Sequence, residues 1–127
     1  MALRLTFFFT ALITLALVHV VATEFYLYWR YAWLDIPMHF LGGVVCIFGL
    51  AILPFFRIRI PKRYRTRFAY LIFAFLIGVL WEIFEYVYDI MNVNTLTDLI
   101  VDTGMDLTFD ILGALFGYTF IQRCNMF

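Results

Sequence analysis

Six side chains in this sequence are suited to holding a metal ion or moving a proton: His39, Glu82, Glu85, Asp102, Asp106 and Asp110. Their spacing is helical. Glu82, Glu85 and Asp89 follow an i, i+3, i+7 pattern, and Asp102, Asp106 and Asp110 recur every fourth residue. Each set therefore shares one helix face. The stretches around them are apolar, and no lysine or arginine lies inside them. Carboxylates facing hydrocarbon are costly, so an ionisable group in a membrane-length segment marks a functional site by default.

The elements that must position these groups follow from composition. The chain has 127 residues, of which 65% are hydrophobic, and its formal net charge is zero. A soluble domain of this length needs much more polar surface. The expected fold class is all-α: an integral membrane bundle of four transmembrane helices forming a single domain, 1–127. The spans are expected at about 5–23, 36–56, 68–88 and 103–121. The last two carry acids in one half each, which a strict hydropathy window underrates. Arg4 ahead of an apolar run and Val20-Val21-Ala22 mimic a secretory leader. The uncharged run from Leu5 to Thr23 is nevertheless long enough to span, and a retained first helix is the expectation.

Charge segregation sets the direction. Six of the nine basic residues, Arg57, Arg59, Lys62, Arg63, Arg65 and Arg67, lie between the second and third spans. The positive-inside rule puts this loop in the cytoplasm, and both termini with it. A basic loop beside a membrane reads as topology or anionic-lipid contact, so no nucleic-acid partner is expected. On the opposite side, segment 24–35 carries Tyr26, Tyr28, Trp29, Tyr31 and Trp33, an interfacial aromatic belt expected to act as a simple anchor. Cys46 and Cys124 read as free thiols without zinc-motif spacing.

With that topology, all six candidate groups fall in the outer half of the bilayer. At 1.5 Å per residue, Glu82 lies about 10 Å below Asp89, and Asp110 about 12 Å below Asp102. Each polar stripe also runs along glycines: Gly42 and Gly43 with His39, Gly78 with Glu82, Gly113 and Gly117 with Asp110. Small residues let helix backbones approach closely, so these faces should turn inward. Buried carboxylates need protons, an arginine, water or metal. Arg30 is the only outer arginine and cannot balance five acids. One or two divalent cations (Zn, Mn, Mg or Fe) suit a carboxylate-rich set with one imidazole, and inward Glu and His ligands are a known way for a helical bundle to build a dimetal site.

Blander readings are expected elsewhere. His19 should make a helix–helix hydrogen bond, and Trp81 should pack. Asp35, Asp89 and Asp98 lie at boundaries where solvation suffices. Asp102 could serve only to flank a helix N-terminus. Asn94, Thr95 and Thr97 are plausible helix-start residues.

Three segments together resemble the VanZ-like group of small membrane proteins, and most closely its YjdF-type inner-membrane branch. They are Asp35-Ile-Pro-Met-His39-Phe-Leu-Gly-Gly43, Trp81-Glu82-Ile-Phe-Glu85 and Asp102-Thr-Gly-Met-Asp106-Leu-Thr-Phe-Asp110-Ile-Leu-Gly113-Ala. Glu85 and Asp110 stand where the VanZ pattern often has glutamine and asparagine, and this departure adds negative charge. The resemblance implies a cell-envelope setting and supports these site residues. It implies no particular chemistry.

The expectation is a multi-pass protein of a prokaryotic plasma membrane, with the bilayer as its surroundings and with oligomerisation open. Its site would hold metal through His39, Glu82, Glu85, Asp102, Asp106 and Asp110. His39 and Glu82 are the candidate catalytic residues, with His39 as ligand or general base. The activity expected is metal-dependent hydrolysis or transfer on a lipid-linked or phosphorylated envelope substrate. Two alternatives stand: a small cation or proton transporter using the same acids as a relay, and a non-enzymatic accessory protein with a structural metal.

Overall fold

The computed structural model describes residues 2–88 and 95–124, so Asp89 and Asn94 lie outside the described residues. Every regular element among them is helical. α1 covers Ala2–Glu24, the short α2 Leu27–Arg30, α3 Asp35–Ile52, α4 Arg67–Val87 and α5 Leu96–Arg123. Single 3-10 turns occur at Ala32–Leu34, Leu53–Phe56 and Lys62–Tyr64.

Local chemistry explains where these helices begin and turn. Thr66 caps α4, its Oγ1 accepting from the Ala69 amide at 3.2 Å. Thr95 and Asp98 form a reciprocal capping box for α5, both bonds at 3.1 Å. Two orphan amides are thereby satisfied. Pro37 sits in the first turn of α3, where its missing amide hydrogen costs nothing. Tyr26 takes a left-handed conformation at φ 54° and separates α1 from α2.

The expected fourth segment begins too late. α5 starts at Leu96 rather than near 103, because the capping box lies upstream of the acids. Asp102 is consequently inside the helix and does not flank its start. Thr97 takes no capping role, which belongs to Thr95.

Three helical stretches, Ala2–Glu24, Ala32–Phe56 and Arg67–Val87, are long and apolar enough to cross a membrane. α5 has 28 residues, about 42 Å at 1.5 Å per residue. Asp98, Asp102 and Asp106 in its first half, with Asp110 just past its middle, make it less apolar than the other three.

Residue pairs show how the helices run. His39 meets Asp110, and Phe48 meets Phe120 with ring centroids 5.9 Å apart, so α3 and α5 run in the same direction. Thr103 meets Glu82 while Tyr118 meets Tyr70, so α4 runs against α5. Phe7 packs on Phe48, so α1 runs against α3. α3 and α5 form the most extensive helix–helix interface.

That interface depends on glycine. A Cβ at Gly113 would collide with the Phe40 carbonyl, and one at Gly43 with the Asp110 carbonyl and, at 2.7 Å, the Ala114 nitrogen. Backbone meets backbone here, and the small-residue stripe makes the close approach possible. Next to it lies an apolar core that includes Val44, Ile47, Phe48, Ala74, Ala114 and Ile121. The outer faces are apolar as well: Ile83 is 54% exposed and Leu80 61% exposed, on a helix whose buried stripe holds Glu82 and Glu85. This inverted distribution is what a lipid-embedded helix requires.

Gly113→Ala should lower stability by about 1–3 kcal/mol through overpacking against α3. Gly104→Ala is the control, since a Cβ there meets nothing within 4 Å; it should be neutral or stabilising by up to about 1 kcal/mol. Thermal unfolding of both variants in one mild detergent would read the difference, and equal midpoints would contradict the tight α3–α5 contact.

Candidate functional site

Three helices bring their polar faces to one place. His39 comes from the second turn of α3, Glu82 and Glu85 from the last turns of α4, and Asp106 and Asp110 from α5. All five are buried, with exposures of 2–6%. Asp102 is half-buried on α5 beside them. Among the described residues no lysine or arginine pairs with any of these carboxylates; every ion-pair contact involves His39.

The imidazole is the hub. Its Nδ1 lies 3.2 Å from Asp110 Oδ2. A carboxylate accepts only, so Nδ1–H donates to it and the proton is assigned to that nitrogen. Nε2 then faces Asp35 Oδ1 at 3.6 Å, Glu82 Oε1 at 3.7 Å and Glu85 Oε2 at 4.0 Å. These are ion-pair separations, too long for hydrogen bonds. Nε2 is buried without a hydrogen-bond partner, and so are Glu82 Oε1 and Asp106 Oδ2. Unsatisfied buried polar atoms are uncommon and costly. Three in one cluster, on three different helices, form a set of lone-pair donors suited to an electron-pair acceptor.

The donor sets match that description. His39, Glu82 and Asp106 each offer a ligand atom within 4.8 Å of the others, and all three are buried. Asp35, Asp102 and Asp106 form a second, more open set on the same terms, sharing Asp106. Asp35, His39 and Glu85 form a third. Asp110 belongs to none of the three; it holds the far side of the imidazole.

The supporting contacts are specific. Thr103 Oγ1 donates to Glu82 Oε2 at 2.7 Å, which orients that carboxylate and leaves Oε1 toward His39. A Cβ at Gly78 would collide with the Asp110 carboxylate, so glycine there lets α4 close over the cluster. Next to the cluster, a cavity of about 380 Å³ extends between α1, α3 and α4. His19 and Tyr28 border it, with His19 Nδ1 3.0 Å from the Tyr28 hydroxyl. His19 thus bridges α1 to α2, and its ring also packs edge-on to Trp81 with centroids 5.3 Å apart. Burial and the neighbouring Asp35 and Glu85 hold the Tyr28 phenol above its usual range, so it remains a neutral hydroxyl.

A family model for a predicted membrane protein family, DUF2238, matches residues 1–126. The chain belongs to that family. No curated protein and no solved structure matches it significantly. Family membership places the chain among membrane proteins and agrees with its apolar helices and lipid-type surface. The VanZ-like resemblance rests on the three motifs alone.

Within this family member, three site residues were not singled out from sequence. Asp35 was read as a solvated boundary residue, yet its side chain is only 25% exposed and enters two donor sets. Its signal was the i, i+4 spacing to His39. Thr103 escaped because threonines are common in such helices; its signal was its place on the Asp106 and Asp110 stripe, at i, i+3, i+7. Tyr28, expected in the interfacial aromatic belt, is buried at 8% exposure and borders the cavity. No sequence feature separated it from Tyr26, which is 70% exposed.

Thr103→Val would leave Glu82 Oε2 buried without its donor, at a cost of about 1–3 kcal/mol. Chemical denaturation in detergent should show that loss. Thr108→Val, which removes only a bond from Thr108 to the exposed backbone carbonyl of Gly104, should show much less. Similar losses in both would argue that the Glu82 contact is unimportant.

Proposed function

We propose that this protein is a metal-dependent enzyme of a prokaryotic plasma membrane, a hydrolase or transferase acting on a lipid-linked or phosphorylated envelope substrate. In this reading α5 is the fourth span, both termini are cytoplasmic, and the His/carboxylate cluster faces the extracytoplasmic side. The observation that carries it is the trio of orphaned atoms, His39 Nε2, Glu82 Oε1 and Asp106 Oδ2, within one buried donor set. The basic loop Arg57–Arg67, exposed at the opposite end of α3 and α4 from the cluster, supports the orientation. The VanZ-like motifs agree with a cell-envelope setting.

His39, Glu82 and Asp106 would hold the first divalent ion. Asp35 and Asp102, with Asp106 shared, would hold a second at the more open edge. Glu85 is within reach of either through the third set. Asp110 fixes the imidazole tautomer from behind, the usual arrangement for a metal-binding histidine. What an ion adds is Lewis acidity toward a phosphoryl or carbonyl oxygen and an acidified water. The chain itself supplies a pocket beside the cluster and one imidazole.

The transport reading has less support. Below the cluster, α3 and α5 continue as the apolar core of Ile47, Phe48, Ala114 and Ile121, and among the described residues no carboxylate follows Asp110 on α5 or Asp35 on α3. A structural-metal reading shares the donor sets and differs only in lacking turnover.

Elemental analysis of purified protein after Mn²⁺ or Zn²⁺ loading tests the metal. Wild type should retain up to two ions per chain, Asp102→Asn one fewer, and Asp106→Asn essentially none. Protein that stays metal-free after loading sinks the proposal. Asp110→Asn should still bind, but about 10–100-fold more weakly, as expected for a residue that orients a ligand from behind; titration calorimetry reads this directly.

A further inference from the structure

The cavity beside the cluster is chemically two-ended. At one end are His39, Glu85, Asp35, Tyr28 and His19. At the other are Leu12 and Leu15 from α1, Val45 and Cys46 from α3, and Ile77 from α4. The helix directions put these ends in register. Along α1 the lining climbs from Leu12 to His19, about 10 Å of helix rise. Along α3 it descends from Asp35 to Cys46, about 16 Å.

The walls are uneven. α1 packs along α3, but it shares no extended interface with α4 and meets it through the His19–Trp81 ring pair. Below that pair α1 and α4 both line the cavity without an extended interface to close the seam between them. α1 is apolar on every side, and most of it is exposed. In a bilayer such a seam opens to acyl chains, not to water. Apolar cavities exclude water, so the lower end is unsuited to a hydrated ion or a free sugar phosphate. An alkyl chain suits it: the whole cavity is about 380 Å³, and its lower walls are Leu12, Leu15, Val45, Cys46 and Ile77.

We propose that this cavity binds one apolar chain of a phosphorylated amphiphile, which enters sideways between α1 and α4 and presents its phosphate to the Asp35–His39–Glu85 donor set at the polar end. The choice of phosphate rests on the metal reading above. Without metal, six carboxyl groups around one imidazole would repel a phosphate and prefer an amine. With metal, the same cluster becomes an oxyanion site. The chain does the anchoring, and the donor set selects the head group.

The test uses the full chain in maltoside micelles and dodecyl phosphate carrying a diazirine near the chain terminus. After Mn²⁺ loading, photolysis should place adducts on Leu12, Leu15, Val45, Cys46 or Ile77, mapped by peptide mass spectrometry. Excess unlabelled dodecyl phosphate should reduce them about tenfold, whereas dodecanol and dodecylamine should compete far less. EDTA should abolish the phosphate preference. Adducts spread over outward residues such as Leu80 and Ile83 would overturn the cavity assignment. Equal competition by dodecanol or dodecylamine would overturn the head-group assignment.

Mn²⁺ titration without any amphiphile separates the two proposals. Bound Mn²⁺ without cavity adducts removes this inference alone, while absent Mn²⁺ binding removes the metal reading and the phosphate choice with it. Ala16→Trp, which fills the cavity from α1, should lose the adducts while retaining Mn²⁺. If that variant does not fold, the wild-type adduct map still decides.

Discussion

A single imidazole buried among carboxylates is the constraint around which the bundle is arranged. Charged groups removed from water need partners, and the penalty for leaving them alone exceeds what ordinary packing returns. Here one ring serves α3, α4 and α5 at once: Asp110 binds its Nδ1, and Asp35, Glu82 and Glu85 surround its Nε2. That geometry requires the three helices to approach closely at one depth. The glycine contacts do this work, with Gly43 and Gly113 joining α3 to α5 and Gly78 admitting the Asp110 carboxylate beside α4.

The same constraint divides the helices into faces. On α4 the buried stripe runs Tyr70, Ala74, Gly78, Glu82, Glu85, and large apolar side chains occupy the rest of its surface. Polar groups lie inward and apolar groups outward because the surrounding medium offers hydrocarbon, not hydrogen bonds. α1 stands apart from this scheme. It contributes no carboxylate to the cluster and buries little of itself, and a cavity beside it has its polar end at the cluster. A helix with little buried surface beside a three-helix site is the kind of element that can admit a ligand, because local packing sets local stability.

Much of this was readable from residue order. The helical spacing of Glu82 with Glu85, and of Asp102, Asp106 and Asp110, indicated shared faces before any coordinates. The apolar stretches pointed to four spans; three of the helices are long and apolar enough to cross a membrane, and the family match agrees with a membrane protein. Helix ends were harder to read. α5 begins at Leu96 because Thr95 and Asp98 satisfy each other's backbone amides, a local bond pattern that hydropathy does not report. Burial of individual aromatics was harder still, as Tyr28 and Tyr26 differ only in where a left-handed turn sends the chain.

Periodicity and composition by themselves determined that this chain is helical, apolar and carries acids on narrow stripes, because those properties depend only on each residue and its near neighbours. Rotation of one helix against another does not. Which carboxylate meets which ring nitrogen, that Asp35 joins the cluster while Asp110 stands behind the imidazole, and that a cavity lies between α1, α3 and α4 were decided by packing between segments up to 71 residues apart. Backbone contact at a few glycines sets those rotations, and contacts of that kind exist only once the helices are assembled.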